Sequence, residues 1–165
     1  AVQGRDCWAR MLKLERTDPL PSGKSASIHG LTLGWEPRAR ITHVSQSATA
    51  SPAFIGLDCR PIAPGQFYVV GDVPATTDPS VTMTDQSHGS VLLHLKGEKS
   101  EVVLSSLSGA NLAAEDFARR GAIQTRLGHL SVNVKRTPDG FSIIAPRSFV
   151  QSIWDDIENA MRIFG

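Results

Sequence analysis

Val91-Leu92-Leu93-His94-Leu95-Lys96-Gly97-Glu98-Lys99-Ser100-Glu101-Val102-Val103-Leu104-Ser105-Ser106-Leu107 carries the change of period on which the fold turns. Val91, Leu93 and Leu95 alternate with Leu92, His94 and Lys96, which is the two-residue repeat of a strand, and Gly97 stops it. From Glu98 the spacing becomes helical. Glu98 and Glu101 place acid in the first turns, Val103 and Leu107 share a face, and Gly109 supplies a stop.

Working outward toward the carboxyl end, Ile123, Thr125 and Leu127 alternate, and so do Leu130, Val132 and Val134. Gly128-His129 between them predicts a tight reversal. Thr137-Pro138-Asp139-Gly140 is a second turn, leading into Phe141, Ile143 and Ala145. A last helix is marked by Ser148 and Gln151 as a capping-box pair, with Phe149, Ile153, Ile157, Met161 and Phe164 at helical spacing. Strand, helix, antiparallel strands and helix in that order predict an α+β fold, a mainly antiparallel sheet with helices on one face.

Toward the amino end, short strands are expected around Ile28, Leu31 and Leu33, and again at Ile41 and Val44, with Ser45 to Pro52 as a loop. Phe67-Tyr68-Val69-Val70 after Pro64-Gly65 reads as a buried strand. Asp72 to Ser80 is rich in Pro, Thr and Asp and divides the chain. The expected organisation is an amino-terminal arm over 1–26 and one α+β domain over 27–165, divisible into lobes 27–78 and 79–165. In the arm, Trp8, Met11, Leu12 and Glu15 share one face of a short helix before the breakers Asp18-Pro19-Leu20-Pro21-Ser22-Gly23.

The chain has 165 residues, 41% hydrophobic and 20% charged, with a formal net charge of +1. That balance gives no electrostatic case for a nucleic-acid or anionic-membrane partner. Arg5, Asp6, Arg10 and Lys13 interrupt any signal-peptide core, and no apolar run reaches the ~20 residues of a membrane span. Cys7 and Cys59 show no metal-site or redox spacing and are expected as reduced thiols in a cytoplasmic protein.

Candidate chemistry is sparse. Gly23-Lys24-Ser25 ends like a phosphate-binding loop, but Asp18 stands where its first glycine belongs and no buried strand precedes it. His29, His43, His88, His94 and His129 show no helical metal spacing. His88 and His94 fall on one face of an extended segment with Asp85 nearest as a third ligand, and a turn role for His88 is the simpler reading. Asp155, Asp156 and Glu158 fit a solvated helix face. There is no nucleophile elbow and no glycine-rich dinucleotide motif. No catalytic, cofactor-binding or metal-binding residue is assigned.

Asp85-Gln86-Ser87-His88-Gly89-Ser90-Val91-Leu92-Leu93-His94-Leu95-Lys96-Gly97 resembles the Ser-His-Gly strand of the gamma subunit family of heterotetrameric sarcosine oxidase. Glu98 to Gly109 is similar to its following helix, and Asn111-Leu112 to Phe117 to the connector. Thr125-Arg126-Leu127-Gly128 is similar to its Thr-x-Leu strand, and Pro146-Arg147-Ser148-Phe149 to the Arg-Ser-Phe before a last helix with a tryptophan, here Trp154. Ala63 to Val70 resembles its Gly-x-x-x-Trp-Leu strand with Phe67 in place of tryptophan. The resemblance covers about residues 60 to 165.

The resemblance implies a fold like the folate-binding glycine-cleavage T-protein, and a chain that holds no cofactor and packs on the alpha subunit. It implies FAD in the beta subunit, NAD and tetrahydrofolate in alpha, FMN between them, and a delta subunit in the same complex. Sarcosine or a related N-methyl amino acid would be demethylated oxidatively. The alternative is a stand-alone folate-binding, T-protein-like one-carbon carrier or transferase; the Lys-Gly-Cys-Tyr-x-Gly signature of an iron–sulfur maturation relative is absent. As a subunit whose job is assembly, the chain is expected to meet its partner through exposed apolar residues. Trp8, Met11 and Leu12 of the arm, with Trp35 and Phe67, are the candidates.

Overall fold

The computed structural model describes residues 17–47, 54, 56–113, 115, 117 and 120–165. The strands are β1 (Ser25–Ile28), β2 (Leu31–Glu36), β3 (Ile41–Gln46), β4 (Asp58–Ala63), β5 (Gln66–Val70), β6 (Val81–Asp85), β7 (Ser90–Lys96), β8 (Ile123–Leu127), β9 (Leu130–Thr137) and β10 (Gly140–Pro146). Helix α1 (Ser100–Leu107) follows β7, and a 3₁₀ turn (Arg147–Phe149) leads into α2 (Val150–Phe164). They build a six-stranded antiparallel sheet of order β1-β2-β7-β10-β9-β8 and a four-stranded antiparallel sheet of order β4-β5-β3-β6. The α+β expectation holds, with a second sheet added.

Strand β7 lies inside the larger sheet, between β2 and β10. Its Val91, Leu93 and Leu95 join the main core with Val103, Leu104, Trp154, Ile157 and Met161 of the two helices. Leu92 points the other way and is also buried, against Ile41 of the smaller sheet. Both faces of the larger sheet are therefore covered, by helices on one side and by strands on the other. That explains why β7 reads as a nearly unbroken apolar run.

The hairpins form where the turn residues put them. Leu127 pairs with Leu130 across Gly128-His129, with Gly128 at φ 57. Gly140 pairs with Thr137 across Pro138-Asp139. A third two-residue turn, His29-Gly30, joins β1 to β2 with φ of 50 and 79, the left-handed pair of a type I′ hairpin. Gly97, at φ 122, runs against this turn; a Cβ there would sit 2.6 Å from the Gly30 carbonyl oxygen.

The helix ends differ from expectation. Helix α1 begins at Ser100, and it ends on an extended Ser108, so Gly109 has no left-handed role. The Ser148–Gln151 capping box does not form, because Ser148 falls inside the 3₁₀ turn and not at the cap. Gln151 instead donates to Asp155 and accepts from Lys24 Nζ. The buried stripe of α2 is Val150, Ile153, Trp154, Ile157, Ala160 and Met161. Phe149 and Phe164 lie off that stripe and are 50% and 43% exposed.

The smaller sheet joins parts of the chain that sequence periodicity separates. Strand β6, whose only apolar residues are Val81 and Met83, pairs with β3, while β1 and β2 belong to the larger sheet. The strand pairing thus crosses a division at residue 78. Residues 1–16, with Trp8, Met11 and Leu12, lie outside the described residues. The rest of the expected arm is anchored: Leu20 is 1% exposed in the main core, and Ser25 and Ala26 belong to β1.

Candidate functional site

Strand register sets the seam between the two sheets. Leu92, Ile144, Asn133 and Gln124 form one row across β7, β10, β9 and β8, and His94, Ser142 and Lys135 form the next. Ile41, Tyr68 and Val70 pack on the first row around Leu92 and Ile144. Arg60, 2% exposed, reaches across to the second. Its Nη2 donates to Ser142 Oγ at 2.9 Å and its Nη1 to the Ser142 carbonyl at 3.3 Å.

The same guanidinium donates to both oxygens of Asp58, through Nη2 at 2.8 Å and Nε at 3.2 Å. Lys135 Nζ donates to Asp58 from the larger sheet at 2.6 Å. Burial by itself pushes the Asp58 carboxyl up, but the hydrogen bonds and charges of Arg60 and Lys135 outweigh it and hold the group below the usual carboxylate range. A carboxylate so held, between two cations, is a poor base. This constellation is a clamp between sheets, and its chemistry is fixation rather than proton transfer.

Beyond the clamp the seam opens into a cleft of about 210 Å³ lined by Tyr68, Ser90, Gln124, Ser131, Asn133 and Ile144, among others. Asn133 Nδ2 donates to the Pro61 carbonyl at 2.9 Å and to Gln124 Oε1 at 3.2 Å, a second tie between sheets. Its Oδ1 is buried without a partner among the described residues. Burial raises the Tyr68 phenol above its ordinary value, so it stays protonated. Together these groups offer hydrogen-bond donors and, in Asn133 Oδ1, an acceptor without a partner among the described residues.

The residues singled out from sequence are scattered. Trp35 is a core residue, 9% exposed, with its indole N–H donating to the Pro21 carbonyl at 3.2 Å. Phe67 is half-buried on the outer face of the smaller sheet, edge-on to Phe54 at 5.3 Å. Neither is the freely exposed apolar residue that was expected. Lys24, of the phosphate-loop-like stretch, bonds Gln151 and lies 4.7 Å from the Trp154 ring centroid, so it fastens the chain to α2. His94 lies 3.6 Å from Glu36 across neighbouring strands. Among the described residues no group of three or more His, Cys, Asp or Glu is placed to hold a metal ion. On α2, Glu158 accepts from Trp154 Nε1 and Arg162, and Asp155 from Gln151.

The clamp was missed in the sequence. Asp58-Cys59-Arg60 does carry one usable signal, since residues two apart on a strand share a face. Lys135 and Ser142 give none, because only the packing of two sheets brings them within reach.

No family model matches the chain, and no curated protein does. The chain is similar in fold to a chain of the heterotetrameric sarcosine oxidase from Corynebacterium sp. U-96, solved in complex with pyrrole 2-carboxylate. The TM-score is 0.71 at 18% identity, and the match covers 90% of this chain and 96% of that one. A structure from Agrobacterium tumefaciens matches 74% of this chain at 13% identity with a TM-score of 0.32, which carries no argument.

Proposed function

We propose that this chain is a non-catalytic, gamma-type subunit of a heterotetrameric, flavin-dependent complex that oxidatively demethylates sarcosine or a related N-methyl amino acid. Its task is structural, packing on the larger alpha subunit. FAD, FMN, NAD and tetrahydrofolate belong to the other subunits. The observation that carries the reading is the fold likeness, at a TM-score of 0.71, over nearly the whole of both chains to a subunit of such an oxidase. The seam supports it, because Arg60, Asp58, Lys135 and Ser142 are spent on holding the sheets together.

The test is made on the purified chain alone and again on the complex that co-purifies with it. The isolated chain should be colourless, oxidise no N-methyl amino acid and bind no tetrahydrofolate, while the complex should show flavin absorbance and turnover. Stoichiometric flavin on the lone chain would sink the reading, and stoichiometric folate would sink it in favour of the one-carbon carrier.

A further inference from the structure

The two sheets have four edge strands, and three are blunted against pairing with another chain. Strand β1 has only four residues. Strand β4 carries Pro61 and a register shift between Pro61 and Ala63. Strand β8 carries Arg126 and is tied to the end of α1, with Ser108 Oγ 3.1 Å from Thr125 Oγ1 and Gly128 N–H donating to the Leu107 carbonyl. Short edges, proline, bulges, charge and cover are the devices by which folded proteins protect an edge.

Strand β6, Val81-Thr82-Met83-Thr84-Asp85, is one residue longer than β1 and ends on the charged Asp85, but it carries no proline and no bulge. Its register against β3 is regular over five pairs, and it contains no proline, lysine or arginine. Gln86 N–H donates to the Ile41 carbonyl at 2.8 Å. By the alternation of an antiparallel ladder, residues 82 and 84 aim their backbone groups at β3, and 83 and 85 aim theirs outward. On that side Val81 N–H donates to the Asp78 carbonyl at 3.1 Å, and no described backbone group pairs with Met83 or Asp85.

The charge around this edge has one sign. No lysine or arginine occurs between Asp72 and Lys96; Asp78 precedes the strand and Asp85 is its last residue. Hydrogen bonds from Ser80 and Ser87 hold these two carboxyls ionised. Asp85 also feels His88 and Arg40, and Arg40 is itself paired with Asp72. Two copies of β6 laid side by side would gather four aspartates with no balancing cation on either strand. A basic strand would meet opposite charge.

We propose that the outer edge of β6 receives an extended, basic strand from the larger partner chain, which continues the four-stranded sheet by β-augmentation. Alternate side chains of that strand would stand beside Val81 and Met83 on one face and beside Thr82 and Thr84 on the other. This rests on the assembly reading above.

Amide hydrogen exchange in the co-purified complex and in the isolated chain tests it. The Met83 amide should exchange freely in the isolated chain and at least about tenfold more slowly in the complex. Met83→Pro removes the outward N–H but none that faces β3, and proline is tolerated on that side of an edge strand. It should weaken assembly by about tenfold or more, while Met83→Ala, which loses only the side chain, assembles as the parent does. Thr84→Lys, which puts a cation against a basic strand, should weaken assembly without touching the ladder, and decides the matter if Met83→Pro does not fold. A complex with equal Met83 exchange in both states overturns this inference and leaves the assembly reading standing. So does normal assembly of the Thr84→Lys protein. If the parent chain forms no complex at all, both readings fall.

Discussion

The larger sheet and the smaller one are built from similar strands but differ in how they are covered. The larger has helices on one face and a sheet on the other, so Leu92 and Leu93, neighbours on one strand, are both buried. The smaller has one face on the seam, while its outer face holds Val44 and Val69 beneath half-buried Phe67, Met83 and Val81. One sheet is the body of the molecule, closed on both faces. The other is half open, with an acidic edge and a partly dressed apolar face.

The largest effect should come from the closed part. Trp154→Ala empties the centre of the helix-covered core and should cost about 3–5 kcal/mol in denaturant unfolding. Breaking the seam comes next. Arg60→Ala strands Asp58 with Lys135 alone and should cost about 2–3 kcal/mol, less than a wholly buried pair because Asp58 is partly exposed. On the outer face of the smaller sheet, Phe67→Ala should cost only about 1–2 kcal/mol, and Ile163→Ser, at a side chain 73% exposed on α2, within ±0.5 kcal/mol. If Phe67→Ala costs as much as Trp154→Ala, the contrast between the sheets is wrong.

The seam also sets an acid limit. The Asp58 carboxyl has a folded-state pKa below its unfolded value, so the unfolded chain binds more protons as pH falls through that range. Its contribution is fully present above the unfolded pKa of about 4 and is lost as pH drops through the folded one. Asp58→Asn should therefore flatten the loss of stability below about pH 4. An unchanged slope would mean that the clamp is not ionised as described.

Much of the closed part is legible in sequence; of the open part, the strands at Ile41–Gln46 and Gln66–Val70 are, and β4 and β6 are not. The β7 to α1 transition, the Gly128-His129 and Pro138-Asp139 reversals and the last helix follow from period and turn chemistry. Val81-Thr82-Met83-Thr84-Asp85 does alternate, but with only two apolar residues, Val81 and Met83, after a Pro/Thr/Asp-rich stretch, its signal is too short to mark a strand. Phe149 and Phe164 fit a helical spacing on paper yet lie off the stripe that Val150, Ile153 and Trp154 define. The seam was illegible for a different reason, since Arg60 and Ser142 are 82 residues apart. Trp35 is expected at the surface as a partner contact, but it continues the alternation of Leu31 and Leu33 on β2 and lies with them in the core.

The central claim, that this chain exists to complete a larger flavin-bearing assembly, is tested most directly by the native mass and flavin content of the particle that carries it. The account predicts a particle several times the mass of this 17.8 kDa chain, with flavin on the other chains and none on this one after dissociation. A particle of the chain's own mass, or flavin that stays with this chain when the others are removed, would contradict it.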